Sequence, residues 1–199
     1  GFGPPGSTVV NKLNSHDINL IERVENVEEV VPRLVRVVSV EFNKIKKFRF
    51  IASLPKDKTQ LDIIYDALNV GVEEGRILEA GEKGKVLLGS DFRDDSFEKE
   101  IRVGSNILIQ GKNFEVSGFL KPASSFQINS VILMDEDELR EVLDLEEEID
   151  LIVVQLKDNV VAEDIAEDIK RKLRKDRDLD LGEEDFSVQT PSQGIETIN

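Results

Sequence analysis

The alternation of apolar and polar residues in the first third of the chain predicts β-structure. Val38–Phe42 and Phe48–Phe50 alternate as half-buried strands do, and the lysine-rich stretch 43–47 between them predicts a turn. Val27–Pro32 is also strand-like. Its proline cannot donate a hydrogen bond to a sheet ladder, so we expect an edge strand or the entry to a strand there.

A small β module is predicted between residues 86 and 119. Val86–Ser90 has the pattern of a strand, Asp91–Glu100 indicates a short polar helix, and residues 103–119 predict two strands joined by a turn that bears a glycine. Segments of mixed helix and strand character lie on both sides of it. The module is therefore interpreted as an insertion into another fold, and no residue set in it has a catalytic pattern.

Three amphipathic helices are predicted outside this module. The first has Ser15 as its cap, and the second follows Asp135, whose carboxylate suits a helix start. The third is the clearest, and we expect Asp158 or Asn159 to cap it. Its apolar face repeats at every fourth position, at Val161, Ile165, Ile169 and Leu173.

Two strands are predicted near the C-terminal end. Leu151–Val154 is continuously apolar, which suits a central strand covered on both faces. Asp185–Thr190 alternates in the manner of a half-buried strand, and Pro191 ends the pattern.

This order of elements predicts an α+β fold of the ferredoxin-like, split βαβ type. Residues 8–40 together with 129–199 would form that unit, and residues 41–128 would form a mainly-β subdomain inserted into it. Residues 1–7, with two prolines and three glycines, predict a linker or the edge of an excised segment.

Composition limits the classes of function. The formal net charge is −15, which disfavours nucleic acid and anionic lipid surfaces as partners. The chain has no cysteine, so disulfides, thiolate catalysis and cysteine zinc sites are excluded. No apolar run reaches membrane length, and the start has no signal-peptide pattern, so a soluble piece is expected.

The motifs that carry chemistry elsewhere fail here on spacing. Asp176–Asp180 resembles the start of a calcium-binding loop. The pattern requires glycine at the sixth position and glutamate at the twelfth, where this chain has Leu181 and Ser187. His16 is the only histidine and is interpreted as a surface residue at a helix start. The acidic runs 135–138 and 146–150 favour solvated faces over magnesium or acid–base sites. No catalytic, cofactor-binding or metal-ligating residue is therefore predicted.

The neighbouring residues in the sequence predict which phenylalanines and lysines are buried and which are exposed. Phe42, Phe48, Phe50, Phe114 and Phe119 stand at strand positions and are predicted to lie in the core. Phe92, Phe97 and Phe126 stand in polar, loop-like surroundings and are the candidates for exposed contacts with a partner. Lys44, Lys46 and Lys47 are interpreted as a solvated loop rather than a binding patch.

Five short pieces in a fixed order resemble a known family. They are Val27–Pro32, Glu74–Arg76, Val86–Ser90, Val103–Ile107 and Phe114–Phe119. In order and spacing, from about Val9 to about Ile198, the chain is similar to the MacB-type core domain on the outer side of ABC transporter permeases of the MacB/FtsX class.

That resemblance implies a porter-like subdomain at 8–40 and 129–199 and a Sabre-type insert at 41–128. It also implies an extracytoplasmic position at the cell membrane, between the first and second membrane helices of the permease, with both ends pointing back to the bilayer. ATP would be hydrolysed by a separate cytoplasmic nucleotide-binding domain or subunit. Further partners would be a second permease copy and an outside partner protein.

The function expected from this resemblance is mechanical: the domain transmits ATP-driven motion of the membrane helices, to move cargo or to act on an outside partner. Two alternatives from other classes stay open. One is a module that binds or senses a peptide or antibiotic outside the cell. The other is an enzyme that uses the acidic clusters with a divalent metal.

Overall fold

The computed structural model describes residues 12–69, 71–93 and 97–191, and these ranges contain nine strands and five α-helices. The predicted linker 1–7 lies outside them. The strands are β1 (Val27–Arg33), β2 (Val35–Phe42), β3 (Ile45–Leu54), β4 (Val72–Gly75), β5 (Lys85–Leu88), β6 (Asn106–Ile109), β7 (Lys112–Leu120), β8 (Val131–Asp135) and β9 (Leu151–Leu156). The helices are α1 (Ser15–Glu22), α2 (Lys58–Leu68), α3 (Phe126–Asn129), α4 (Glu136–Leu143) and α5 (Ala162–Asp176), and a 3₁₀ turn spans Ser90–Arg93.

Six strands close into a barrel. The hydrogen-bonded order runs β7–β5–β8–β3–β2–β6, and β6 pairs with β7 again, so the ring has no free end. The pairs β3–β8 and β5–β7 are parallel and the other pairs of the ring are antiparallel. β4 is added beside the last residues of β7. Closure satisfies the backbone groups that an open sheet leaves at its edges.

The barrel interior is filled by side chains from every strand of the ring. Those from β2, β3, β5, β6, β7 and β8 include Val38, Val40, Ile51, Val86, Leu88, Ile107, Ile109, Phe114, Val116, Ile132 and Met134. Leu139 of α4, which follows β8 directly, joins this cluster at one end. Phe97 joins it at the other end, where its ring meets that of Phe42 edge-on at 6.3 Å between centroids.

The β2–β3 hairpin is tighter than the sequence pattern predicts. Phe42 pairs directly with Ile45, which leaves a two-residue loop of Asn43 and Lys44. Both have positive φ (49° and 64°), the backbone that two-residue hairpins require. The predicted turn at 43–47 is thus wrong for Lys46 and Lys47, which lie in β3.

Helix α2 covers part of the outer face of the barrel. Its buried residues Leu61 and Ile64 lie in one cluster with Ala52 and Leu54 of β3. The carboxylate of Asp57 accepts a hydrogen bond from the backbone N–H of Gln60 at 3.0 Å and so caps the helix. Phe48, predicted to be a core residue, lies on the same outer face beyond the helix and is 69% exposed.

The remaining pair of strands, β1 and β9, forms a separate antiparallel sheet with α1 and α5 packed on it. We call α1, β1, β9, α5 and residues 177–190 the β1–β9 unit. Leu151–Val154 was predicted as a central strand, but among the described strands β9 pairs only with β1. The run is apolar because Val153 packs toward the cluster under α2 while Ile152 and Val154 pack toward α1 and α5.

Helix starts agree with the sequence in part. Asp135 caps α4, accepting from the N–H of Glu138 at 3.1 Å, as predicted. Asn14, rather than Ser15, caps α1. Neither Asp158 nor Asn159 caps α5, because the chain turns at Asn159 and the helix begins only after Val161. Residues 185–190 are not a strand: only Phe186 and Val188 of that stretch join the α1–α5 core.

The α+β class is confirmed, since helices and strands are interleaved along the chain. The barrel, however, continues across both borders of the predicted insert. β2 pairs with β3 along the whole length of β2, and β3 pairs with β8, so neither the 40/41 nor the 128/129 border falls at a break in the strand pairing. The division at these residues stays a prediction.

Candidate functional site: the junction between the barrel and the β1–β9 unit

A single residue, Leu34, separates β1 from β2, so the chain passes from the small sheet into the barrel without a loop. Ser53 of β3 holds this crossing. Its hydroxyl accepts from the N–H of Leu34 at 2.8 Å, and its own N–H donates to the carbonyl of Leu34 at 2.9 Å. Because Ser53 and Leu34 are both fully buried, these hydrogen bonds are protected from competition by water.

Arg33 anchors the end of β1 against the barrel. Its Nε donates to the carbonyl of Ser53 at 2.6 Å, and the residue is only 7% exposed. Burial lowers the pKa of Arg33 to about 10, partly offset by the negative charge of Glu136. The guanidinium is charged at neutral pH all the same, so the junction contains a buried cation.

A second arginine joins the two sheets from the barrel side. Arg36 Nε donates to Asp150 Oδ2 at 2.7 Å, and its Nη2 donates to Glu148 Oε2 at 2.7 Å. Asp150 Oδ2 also accepts from the N–H of Val35 at 3.0 Å, while the N–H of Asp150 donates to the carbonyl of Arg33 at 3.0 Å. The residues just before β9 are thereby fixed to the first residues of β2.

The electrostatics of this cluster favour the ionised forms. Burial lowers the pKa of Arg36, but hydrogen bonds to Asp150 and Glu148 outweigh burial and the pKa is raised above its usual value. The hydrogen bond from Arg36, with a further one from Lys12, lowers the pKa of Glu148. Such charge-assisted hydrogen bonds are shorter and stronger than neutral ones. The arrangement can hold two units together; it contains no nucleophile and base in contact.

Helix α2 adds a further contact across the junction. Gln60 Nε2 donates to Glu29 Oε1 of β1 at 2.9 Å.

Tyr65 on the same helix both donates to the carbonyl of Leu78, at 3.1 Å, and accepts from its N–H, at 3.2 Å. Burial raises the pKa of Tyr65 to about 12, so the phenol keeps its proton.

The first and last described segments both lie against α5 within the β1–β9 unit. At the last turn of α5, His16 Nε2 is 2.9 Å from Asp176 Oδ1, and Arg177 pairs with Asp17 at 2.9 Å. At the first turn, Thr190 Oγ1 is 3.4 Å from Glu163 Oε1. These two places are separated by the helix, which at 15 residues is about 22 Å long.

Of the three phenylalanines predicted to contact a partner, the structure exposes one. Phe126 is 72% exposed at the start of α3. Phe92 and Phe97 are 2% and 1% exposed, so their prediction as surface contacts is wrong. Both follow β5 in polar surroundings, and their rings belong to the core of the barrel. The role of Phe126 stays a prediction.

The junction residues themselves carried no signal in the sequence. Glu146–Asp150 looked like a solvated acidic run, yet its last two carboxylates meet an arginine more than a hundred positions away. That these carboxylates pair with Arg36 becomes visible only when the fold is known. Among the described residues no three His, Cys, Asp or Glu side chains are grouped as metal ligands would be.

A shallow cleft of about 290 Å³ lies beside Phe126, at the small end of the range for ligand pockets. The segment 121–125 forms one wall, and Leu68, Asn69, Gly71 and Ile128 form the rest.

Comparison with known proteins decides the family. The model of the MacB-like periplasmic core domain matches residues 2–172. The chain belongs to this family. It is the extracytoplasmic domain of a MacB-like ABC transporter permease. None of the described helices is both long and apolar enough to cross a membrane.

A curated protein is similar to this MacB-like domain along its whole length. An ABC transporter permease of Methanocaldococcus jannaschii is 31% identical over 199 residues, which are 100% of this chain and 47% of that protein. The chain thus spans about half the length of the curated relative it matches.

Two solved structures share the fold. The periplasmic region of MacB from Actinobacillus actinomycetemcomitans has a TM-score of 0.71 at 16% identity, covering 100% of this chain and 88% of that one. The extracellular domain of YknZ, a noncanonic ABC-type transporter from Gram-positive bacteria, has a TM-score of 0.64 at 16% identity, covering 85% of this chain and 86% of that one.

Proposed function

We propose that this domain is a rigid lever that transmits ATP-driven motion of the permease's membrane helices outward, to move cargo or act on an outside partner. ATP is hydrolysed on a separate cytoplasmic subunit, and a second permease copy carries the opposing lever. The observation that carries the proposal is the junction. Force that enters through either end of the domain acts on the β1–β9 unit, and the contacts of Arg33, Arg36 and Asp150 pass it to the barrel.

The junction supports a rigid rather than a hinged connection. A hinge is a short segment of chain that absorbs changes in φ and ψ, whereas the crossing at Leu34 is fully buried and hydrogen-bonded on both sides of its peptide. A small displacement of β1 must therefore move β3, and with it the barrel.

Spin labels test this in the full permease, reconstituted with its ATP-binding subunit. This domain has no cysteine, so Lys175→Cys on α5 gives one labelling site per copy once any cysteines elsewhere in the permease are replaced. We expect the distance between the two labels of a permease pair to change between the ATP-bound and the post-hydrolysis state. An unchanged distribution in both states would refute the lever.

A second labelling separates a lever from a flexible tether. With Lys175→Cys in the β1–β9 unit and Asn113→Cys on β7 of the same copy, the intramolecular distance should stay the same through the cycle. Two labels on the barrel, at Asn113 and Lys44, are the matched control. If the Lys175–Asn113 distance changes while the control pair does not, the junction bends and the proposed rigid transmission is wrong.

A further inference from the structure

The tip of the β2–β3 hairpin is positively charged, although the protein as a whole is strongly negative. Residues 43–49 hold four cations and no carboxylate, in a chain whose net charge is −15. Charge of one sign gathered at one place attracts opposite charge over distances of about a Debye length, roughly 8 Å at physiological salt. The four cations are Lys44, Lys46, Lys47 and Arg49.

Glu41 of β2 stands opposite Lys46 in the ladder and offsets part of this charge. None of the four forms an ion pair within the described residues. Lys47 and Arg49 instead lie over the rings of Phe97 and Phe92, at 5.4 and 6.0 Å from the ring centroids. Lys44 and Lys46 are exposed to solvent. Residues 41–49, with four cations and Glu41, therefore keep a formal charge of +3.

An apolar centre lies beside this charge on the outer face. Phe48 is 69% exposed and follows Lys46 on the same face of β3. Val37 of β2 lies two residues from Ser39, the cross-strand partner of Phe48, and is 54% exposed on that face. Cross-strand diagonal neighbours are within reach of an aromatic side chain. We call Val37, Lys44, Lys46 and Phe48 the tip face.

The tip face lies at the far end of the barrel from the junction. Ser53 contacts Leu34 at the junction, whereas Ile45 begins β3 at the tip. The ten residues of β3 span about 30 Å. If both chain ends lead toward the bilayer, as the proposed function requires, the tip points away from the membrane surface, which disfavours lipid as its occupant.

We propose that the tip face binds an acidic segment of an extracytoplasmic partner protein, with an apolar side chain of that segment seated on Phe48 and Val37. This inference rests on the proposed function and names the chemistry of its outside partner. The cations attract the acidic segment and fix its register. The apolar contact, which becomes buried on binding, slows dissociation. An acidic partner also avoids the repulsion that the rest of this surface exerts on it, because only the tip meets it.

Binding of a defined probe tests the proposal on the chain itself. The probe is a fluorescein-labelled twelve-residue peptide that alternates glutamate and leucine, titrated at 50 and 300 mM salt and read by anisotropy. We expect saturable one-to-one binding that weakens with salt. Lys44→Gln with Lys46→Gln should weaken it at least about five-fold, and Phe48→Ser about ten-fold.

A matched pair of substitutions controls for overall charge. Lys157→Gln with Lys175→Gln removes two exposed lysines of the β1–β9 unit and should leave binding unchanged. Absence of saturable binding, or equal weakening by this control pair, overturns the inference. Tighter binding to phosphatidylglycerol vesicles than to the peptide would also overturn it, because the tip face would then bind lipid. A salt-sensitive dimer that Phe48→Ser abolishes would overturn it as well, because the tip face would then bind a second copy. The lever proposal is unaffected by any of these results, because its test reads distances in the permease.

Discussion

Replacing Asp150 isolates the energetic contribution of the junction. Asp150→Ala removes the single oxygen, Oδ2, that accepts from both Arg36 Nε and the N–H of Val35. The side chain is only 6% exposed and that of Arg36 16% exposed, so water replaces these partners poorly. The backbone bond from Asp150 N–H to Arg33 remains possible in the variant.

The magnitude follows from the groups left without partners. An unsatisfied, mostly buried N–H costs about 1–3 kcal/mol, and loss of one of the two carboxylates of Arg36 adds about 1 kcal/mol because Glu148 remains. We therefore expect Asp150→Ala to lower the free energy of unfolding by about 3 kcal/mol. Asp150→Asn keeps an oxygen in the accepting position and loses only the charge, so it should cost about 1 kcal/mol.

Urea unfolding followed by circular dichroism at 222 nm measures both values, with Asp158→Ala as the matched control. Asp158 is exposed and forms no ion pair within the described residues, so its removal should change stability by less than about 0.5 kcal/mol. If Asp150→Ala and Asp158→Ala destabilise the domain equally, the junction does not hold the two units together and the reasoning is refuted.

Two further outcomes follow from the barrel and its surface. Phe97→Ala should destabilise the domain by about 3–5 kcal/mol because it empties the barrel mouth, whereas Phe126→Ala should cost less than about 0.5 kcal/mol; equal shifts in urea midpoint would contradict the assigned burial. Hydrogen bonding from Arg76, opposed by burial, lowers the pKa of Glu82 to about 2, so its stabilising effect is present above pH 4.5 and fades as the pH falls toward 2. Glu82→Gln should therefore lower the free energy of unfolding at pH 6, and the difference from the unchanged protein should be smaller at pH 3; a difference independent of pH would contradict the ion pair.

Local patterns in the sequence were sufficient to predict elements whose backbone hydrogen bonds are made within the element. The four-residue repeat of Ile165, Ile169 and Leu173 predicts the buried face of α5, and all three are buried. The same holds for the β6–β7 hairpin, whose turn at Gln110 and Gly111 has positive φ at both residues. The backbone hydrogen bonds of a helix or a two-residue hairpin join residues a few positions apart, so the information for forming these elements is contained in the segment itself.

Elements that depend on closure were not predictable from local pattern. Phe97 stands in a polar stretch and is buried only because Phe42, 55 positions earlier, ends a strand at the barrel mouth. Conversely, Phe48 alternates as a core residue should, yet the face that it occupies extends beyond the cover of α2. Alternation specifies which residues share a face of a sheet, and packing of distant segments decides which faces are covered.

The candidate site depends on pairings of the longest range. Arg36 and Asp150 are 114 positions apart; Arg36 stands in an apolar strand, and Asp150 ends an acidic run whose composition suits a solvated surface. The sequence resemblance gave the family and led to the mechanical function proposed above, without indicating these residues. Only the placement of β9 beside β1 brings the carboxylate to the arginine.

The two parts of the fold differ in how they respond to load. The barrel is a closed ring, so displacing one strand strains its neighbours on both sides. The β1–β9 sheet has two strands, and two-stranded sheets are marginal unless something packs on them. Here α1 and α5 supply that packing through Ile21, Ile165 and Ile169, and the ion pairs of Arg177 with Asp17 and Asp185 fix the end of α5. A pull on the unit is therefore resisted first by these side-chain contacts, and the barrel moves only as far as the Arg36–Asp150 junction holds. If the domain transmits motion as proposed, transmission is limited by the weaker of two contacts, the α1–α5 packing and the junction, and not by the barrel.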